Sequence, residues 1–145
     1  MPRPANALII DDEPHVRVLL TAILRQLGIK TIWDAPDGST GLSHAALHKP
    51  DVVLLDLNLP EIGGLEVLAK LKAENPKMPV IVVSAQSTVR TVNRANELGA
   101  EGYVVKYAPK SEVIQMISDA LDRIAENPSD RDAKGEQKPV APGSS

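Results

Sequence analysis

The stretch that decides the fold is Val52-Val53-Leu54-Leu55, closed at once by Asp56. Four apolar residues run without polar alternation, are rich in Val and are too few for a core helix. A strand of this kind is buried on both faces, as in the centre of a parallel sheet. Three further runs have the same character: Leu8-Ile9-Ile10, Val80-Ile81-Val82-Val83 and Tyr103-Val104-Val105. A more polar candidate, Lys30-Thr31-Ile32-Trp33, suits an edge strand.

Helical patterns lie between the runs. The clearest spans Pro14 to Leu27, with Val16, Leu19, Leu20, Ile23, Leu24 and Leu27 on one stripe. Pro14 suits the first turn and Gly28 the stop. Leu65, Leu68, Ala69 and Leu71 mark a second helix, ended by Asn75-Pro76, and Val113, Ile117, Ala120, Leu121 and Ile124 mark the last. Weaker stripes fall near Gly38 to His48 and Ser87 to Leu98, with Ser87 as the expected cap of the latter. Five strand-helix units joined by right-handed crossovers give an α/β fold, a doubly wound parallel sheet with helices on both faces. Residues 1–5 read as an N-terminal arm, 6–125 as one domain and 126–145 as a flexible tail. The tail is rich in Pro, Gly, Ser and mixed charge, without Leu, Ile or aromatic residues.

Composition narrows the chemistry. Of 145 residues, 43% are hydrophobic, enough for a core, and the formal net charge of -3 argues against nucleic acid as the main partner. Cysteine is absent, which removes disulfides, thiolate catalysis and sulfur-ligated metals. One Trp, two Tyr and no Phe leave little for base-stacking platforms. No apolar run reaches membrane-spanning or signal-peptide length, so the expectation is a cytoplasmic protein with no membrane partner.

Each central run is followed by a polar residue: Asp11 and Asp12, Asp56, Ser84 and Lys106. In a parallel sheet these positions share the carboxyl edge, where doubly wound folds bind ligands. Clustered carboxylates repel, and a hard divalent cation relieves them; magnesium suits few carboxylates beside a phosphate. Lysine supplies a point charge for phosphate and serine a hydrogen bond. A metal-held carboxylate can act as a nucleophile and form an aspartyl-phosphate.

These residues, in order, resemble the receiver domain of bacterial two-component response regulators. The resemblance is carried by Leu8-Ile9-Ile10-Asp11-Asp12-Glu13-Pro14, by Val53-Leu54-Leu55-Asp56-Leu57, and by Pro60 with Gly63-Gly64. Val82-Val83-Ser84-Ala85 and Leu98-Gly99-Ala100-Glu101-Gly102-Tyr103-Val104-Val105-Lys106 extend it. It implies a flavodoxin-like sheet in the order 2-1-3-4-5 with five helices. It implies that Asp56 is the phosphoacceptor, served by the phosphohistidine of a sensor histidine kinase or histidine phosphotransfer protein. Asp12 would bind Mg2+ directly and Asp11 through water, with Asp56 and the Asn58 carbonyl completing the set. Lys106 and Ser84 would contact the phosphoryl group. Ser84 and Tyr103 would form a switch that reshapes the face of the fourth helix, fifth strand and fifth helix, where partners bind. Asn58 and Gln86 fall where the family tunes dephosphorylation.

One departure stands out. The family usually has Pro after the lysine, whereas here Tyr107 follows Lys106 and Pro109 comes later. The peptide bond before Tyr107 is therefore expected to be trans. Two competing readings follow: a degenerate receiver working as a phosphorylation-independent interaction module, and a magnesium-dependent phosphatase. The second is disfavoured because Asn58, two residues after Asp56, cannot serve as the acid-base aspartate. The expectation is thus a phosphorelay switch that is no enzyme beyond its own phosphorylation and dephosphorylation. With no output domain in the tail, it would act through protein contacts. Glu13 is read as tuning charge, and Trp33 as packing at the edge strand. His15 is read as a surface residue, and His44 and His48 as a solvated helix face.

Overall fold

The computed structural model describes residues 4–126. Their strands are β1 (Asn6–Ile10), β2 (Thr31–Ala35), β3 (Val52–Leu55), β4 (Val80–Ser84) and β5 (Gly102–Val105). The helices between and after them are α1 (Pro14–Gln26), α2 (Gly38–His48), α3 (Gly64–Glu74), α4 (Val89–Glu97) and α5 (Lys110–Glu126). The strands are all parallel and ordered β2-β1-β3-β4-β5, as the sequence implied.

Strand parity sorts the core into two layers. Ala7, Ile9, Val52, Leu54, Ile81 and Val83 pack with α1 and α5 on one face of the sheet. Leu8, Ile10, Val53, Leu55, Val80 and Val82 pack with α2, α3 and Ala95 of α4 on the other. This double burial explains why β1, β3 and β4 show no polar alternation. From its composition the run Tyr103-Val104-Val105 was expected to be buried in the same way. Instead β5 forms the outer edge, and of its residues only Val104 is buried. Strand order, which composition does not encode, leaves it with one neighbour.

Helix ends follow local chemistry. α1 opens at Pro14, and Gly28 beyond it takes a φ of +100°, where a side chain would be strained. Asp37 caps α2 by accepting the Thr40 N–H at 2.7 Å. The cap of α4 is Thr88, accepting from Thr91 N, one residue beyond the expected Ser87. α5 continues through Glu126, which the sequence had assigned to the tail; residues 127–145 and the first three of the arm lie outside the described residues. No helix among the described residues is long and apolar enough to cross a membrane.

Register brings the strand ends together. Ile10 pairs with both Ala35 and Leu55, Leu55 with Val82, and Ser84 with Val105. Backbone bonds carry the ladder one step further, from Asp56 N to Ile10 O at 2.9 Å and from Lys106 N to Ser84 O at 2.8 Å. Asp11, Asp56, Ser84 and Lys106 therefore meet along one rim.

Candidate functional site

Among the described residues, the buried polar or charged side chains are Asp11, Asp56, Ser84 and Lys106. All four belong to the set that the sequence placed at the strand ends. Burying charge costs free energy unless the charge is paired. The pairing is concentrated on the Lys106 ammonium. Its Nζ lies 2.9 Å from Asp56 Oδ2, 3.0 Å from Asp11 Oδ2 and 2.8 Å from Glu13 Oε1.

The carboxylates are also tied to their own loops. Asp11 Oδ1 accepts the Glu13 N–H at 2.8 Å, and Asp56 Oδ1 accepts the Asn58 N–H at 3.0 Å. Burial nevertheless dominates and holds both Asp11 and Asp56 above the usual carboxylate range, with these N–H groups and Lys106 pulling the other way. Burial also opposes the charge on Lys106, but its bonds to Glu13, Asp56 and Asp11 prevail and raise its pKa. The resting site is a net-acidic cluster in which one ammonium faces three carboxylates.

Asp12 is exposed and joins the cluster from the rim. Asp11, Asp12 and Asp56 each offer a carboxylate oxygen, and these oxygens lie within 4.8 Å of one another. Asp11 Oδ2 has no aligned hydrogen-bond donor despite its burial and its closeness to Lys106. An all-oxygen, acidic donor set with an underused buried oxygen fits a hard divalent ion such as Mg2+. Asn58 is exposed at the same loop and contributes its N–H to Asp56.

Ser84 is fully buried at the end of β4 and accepts the Gln86 N–H at 3.1 Å. It is not a helix cap, since α4 starts beyond Thr88. Tyr103 is half-buried, and its hydroxyl donates to the Gln86 carbonyl. The ring thus already reaches the loop that follows Ser84. Burial raises the Tyr103 phenol above its ordinary pKa.

The departure at Tyr107 leaves Lys106 in place. Peptide bonds among the described residues are all trans, and Lys106 still reaches both buried carboxylates. Sequence reasoning missed what Tyr107 does. Its hydroxyl donates to Glu13 Oε1 at 2.5 Å, across 94 positions. Glu13 was read as tuning charge; it makes the shortest of the Lys106 contacts. Its position two residues after Asp11, on the same loop, was the available signal.

The histidines give a smaller correction. His44 and His48 are half-buried rather than solvated. Trp33 stacks on His48 at 4.2 Å between ring centroids, and His44 stacks on His48 at 5.5 Å. The three rings fasten the last turns of α2 to β2.

Comparison with known proteins agrees with this geometry. Residues 7–118 match the sequence model of the family described as response regulator receiver domain. The chain is 36% identical over 121 residues to the probable transcriptional regulatory protein TcrX of Mycobacterium tuberculosis, covering 83% of this chain and 51% of TcrX. It is 34% identical over 123 residues to the transcriptional regulatory protein PdtaR of the same species, covering 85% of this chain and 60% of PdtaR. It thus spans only about half to three-fifths of the length of these curated relatives. Among solved structures it resembles the CheX-CheY-BeF3-Mg+2 complex from Borrelia burgdorferi, with TM-score 0.75 and 28% identity over 81% of this chain and 89% of that one.

Proposed function

The chain belongs to the response regulator receiver domain family, and from that membership we propose that Asp56 accepts a phosphoryl group from a phosphohistidine of a sensor kinase or phosphotransfer protein. The observation that carries the reading is the burial of Asp56 in contact with Lys106, beside Asp11 and Asp12.

In the proposed reaction a carboxylate oxygen of Asp56 attacks phosphorus. A P–O bond forms, the P–N bond of the phosphohistidine breaks, and the imidazole nitrogen departs with the electron pair. Lys106 provides positive charge 2.9 Å from the attacking carboxylate, where negative charge gathers on the transferring oxygens. Ser84 offers a hydroxyl at the neighbouring strand end. Asp11, Asp12 and Asp56, with the Asn58 carbonyl, would hold Mg2+. The ion would supply further charge to offset the phosphoryl oxygens. The similar Borrelia burgdorferi protein, described in complex with CheX, BeF3 and Mg+2, supports that part of the reading.

The output is read as a change in the face of α4, β5 and α5, driven through Ser84 and Tyr103. The hydroxyl bond from Tyr103 to the Gln86 carbonyl supports this coupling, because it links β5 to the loop leading into α4. A cytoplasmic location, and catalysis limited to self-phosphorylation and dephosphorylation, belong to the same proposal. The curated relatives are named as transcriptional regulators, so the composition argument against nucleic acid applies to this stretch of chain alone. The intact buried cluster gives no support to the phosphorylation-independent alternative.

Incubation with a radiolabelled phosphohistidine protein and Mg2+ tests the proposal. Label should move to the wild type, fail to move to Asp56→Asn, and stop when the metal is chelated. Rapid return of label to the donor marks a relay, and retention marks a target-binding switch. Equal labelling of Asp56→Asn would refute the assignment.

A further inference from the structure

Lys106 reaches the pocket from the end of β5, and the two carboxylates that it serves there are buried. Its shortest contact, however, runs outward to Glu13, at 2.8 Å. Glu13 lies between β1 and α1, with its side chain about one-third exposed. The oxygen that Lys106 touches, Glu13 Oε1, is the same atom that accepts the Tyr107 hydroxyl at 2.5 Å. The Tyr107 ring also stands beside the ammonium, with Nζ 5.8 Å from its centroid, within the range of cation–π attraction. Tyr107 is otherwise exposed at 61%, so it is not held there by core packing.

Resting on the phosphoacceptor reading above, we infer that Tyr107 and Glu13 form a clasp that positions Lys106 for phosphoryl transfer. A lysine is a flexible stem with a point charge, and an ammonium gains from being fixed before charge develops on the substrate. Glu13 alone, on an open loop, would sample many rotamers. The Tyr107 hydroxyl restricts it and closes the loop after β1 onto the loop after β5. The ammonium is thereby held from outside at Glu13 while it faces Asp56 from within. Neither clasp residue touches the transferring group. Both act through Lys106 and are positioning residues.

The test uses the whole chain with Mg2+ and acetyl phosphate as donor, comparing wild type, Tyr107→Phe, Glu13→Ala and the double variant. Tyr107→Phe preserves the ring and removes only the donor. It should slow labelling of Asp56 about two- to tenfold, the range for loss of one hydrogen bond. Adding Tyr107→Phe to Glu13→Ala should produce little further loss, because Glu13→Ala already removes the acceptor that both groups share. The nitrogen-15 ammonium resonance of Lys106, read without any donor, should be sharp in the wild type and broadened in Tyr107→Phe. Wild-type labelling rates and an unchanged ammonium signal in Tyr107→Phe would overturn the clasp, as would fully additive losses. A wild type that takes no label overturns the phosphoacceptor reading instead, and the ammonium signal then decides the clasp.

Discussion

Lys106 Nζ and Asp56 Oδ2 stand 2.9 Å apart in a buried pocket, although the residues are 50 positions apart in sequence. The lysine therefore plays two opposed parts. It is the internal counter-ion that makes an acidic pocket tolerable, and it competes with any cation that the pocket would bind. Lys106→Met separates them. The variant should bind Mg2+ about tenfold more tightly by calorimetric titration, since the resident charge is gone. It should also take label at Asp56 about a hundredfold more slowly, since a charge donor is lost.

Asp56 itself should cost stability in the metal-free protein. Its pKa is raised chiefly by burial. A carboxyl whose folded pKa exceeds its unfolded value stabilises the fold below the unfolded pKa, and that contribution is lost as pH rises through the folded one. At neutral pH the ionised group is thus a burden. Asp56→Asn should raise the Tm at pH 7 without Mg2+. The advantage over wild type should shrink as pH falls toward the ordinary carboxylate range. Thermal scans at several pH values would show it, and a lower Tm for the variant at pH 7 would contradict it.

The loop after Asp56 is shaped by a close approach. A Cβ on Gly64 would lie 2.4 Å from the Asp56 carbonyl oxygen and 2.3 Å from Leu57 Cα, both backbone atoms that cannot turn aside. A Cβ on neighbouring Gly63 would meet nothing within 4 Å. Gly64→Ala should therefore cost about 1–3 kcal/mol in urea denaturation and slow labelling of Asp56. Gly63→Ala should do neither.

A second polar knot secures the opposite end of β4. Glu101 accepts the N–H of fully buried Val80 at 2.8 Å and pairs with Lys72 at 2.9 Å, while Lys72 also donates to the Met78 carbonyl at 2.6 Å. Glu101→Ala strands the Val80 N–H and should cost about 2 kcal/mol in chemical denaturation. Mg2+ affinity, measured at the other rim, should be unchanged.

What could be read from the chain alone follows from this division of labour. β1, β3 and β4 are buried on both sides, so their composition announces them, and the residue after each run lands on the active rim by topology. Composition alone hid the edge position of β5, because Val104 must be apolar for one covered face and its neighbours happen to be apolar too; only the strand order implied by the resemblance put it at the edge. Thr88 and Ser87 are equivalent as caps on propensity, and only backbone geometry chooses. The stack of Trp33 on His48 and the bond of Tyr107 to Glu13 join side chains that are distant in sequence, with no periodic signature. Tyr107 was visible only as a departure from a pattern, and its partner emerged from the fold.

The central claim is that Asp56 is the phosphoacceptor of a divalent-metal pocket. Intact-protein mass spectrometry with acetyl phosphate tests it most directly, on wild type and Asp56→Asn, with and without Mg2+. The account predicts one added phosphoryl group on the wild type, only when Mg2+ is present, and none on Asp56→Asn. An unlabelled wild type, or equal labelling of the variant, would contradict it.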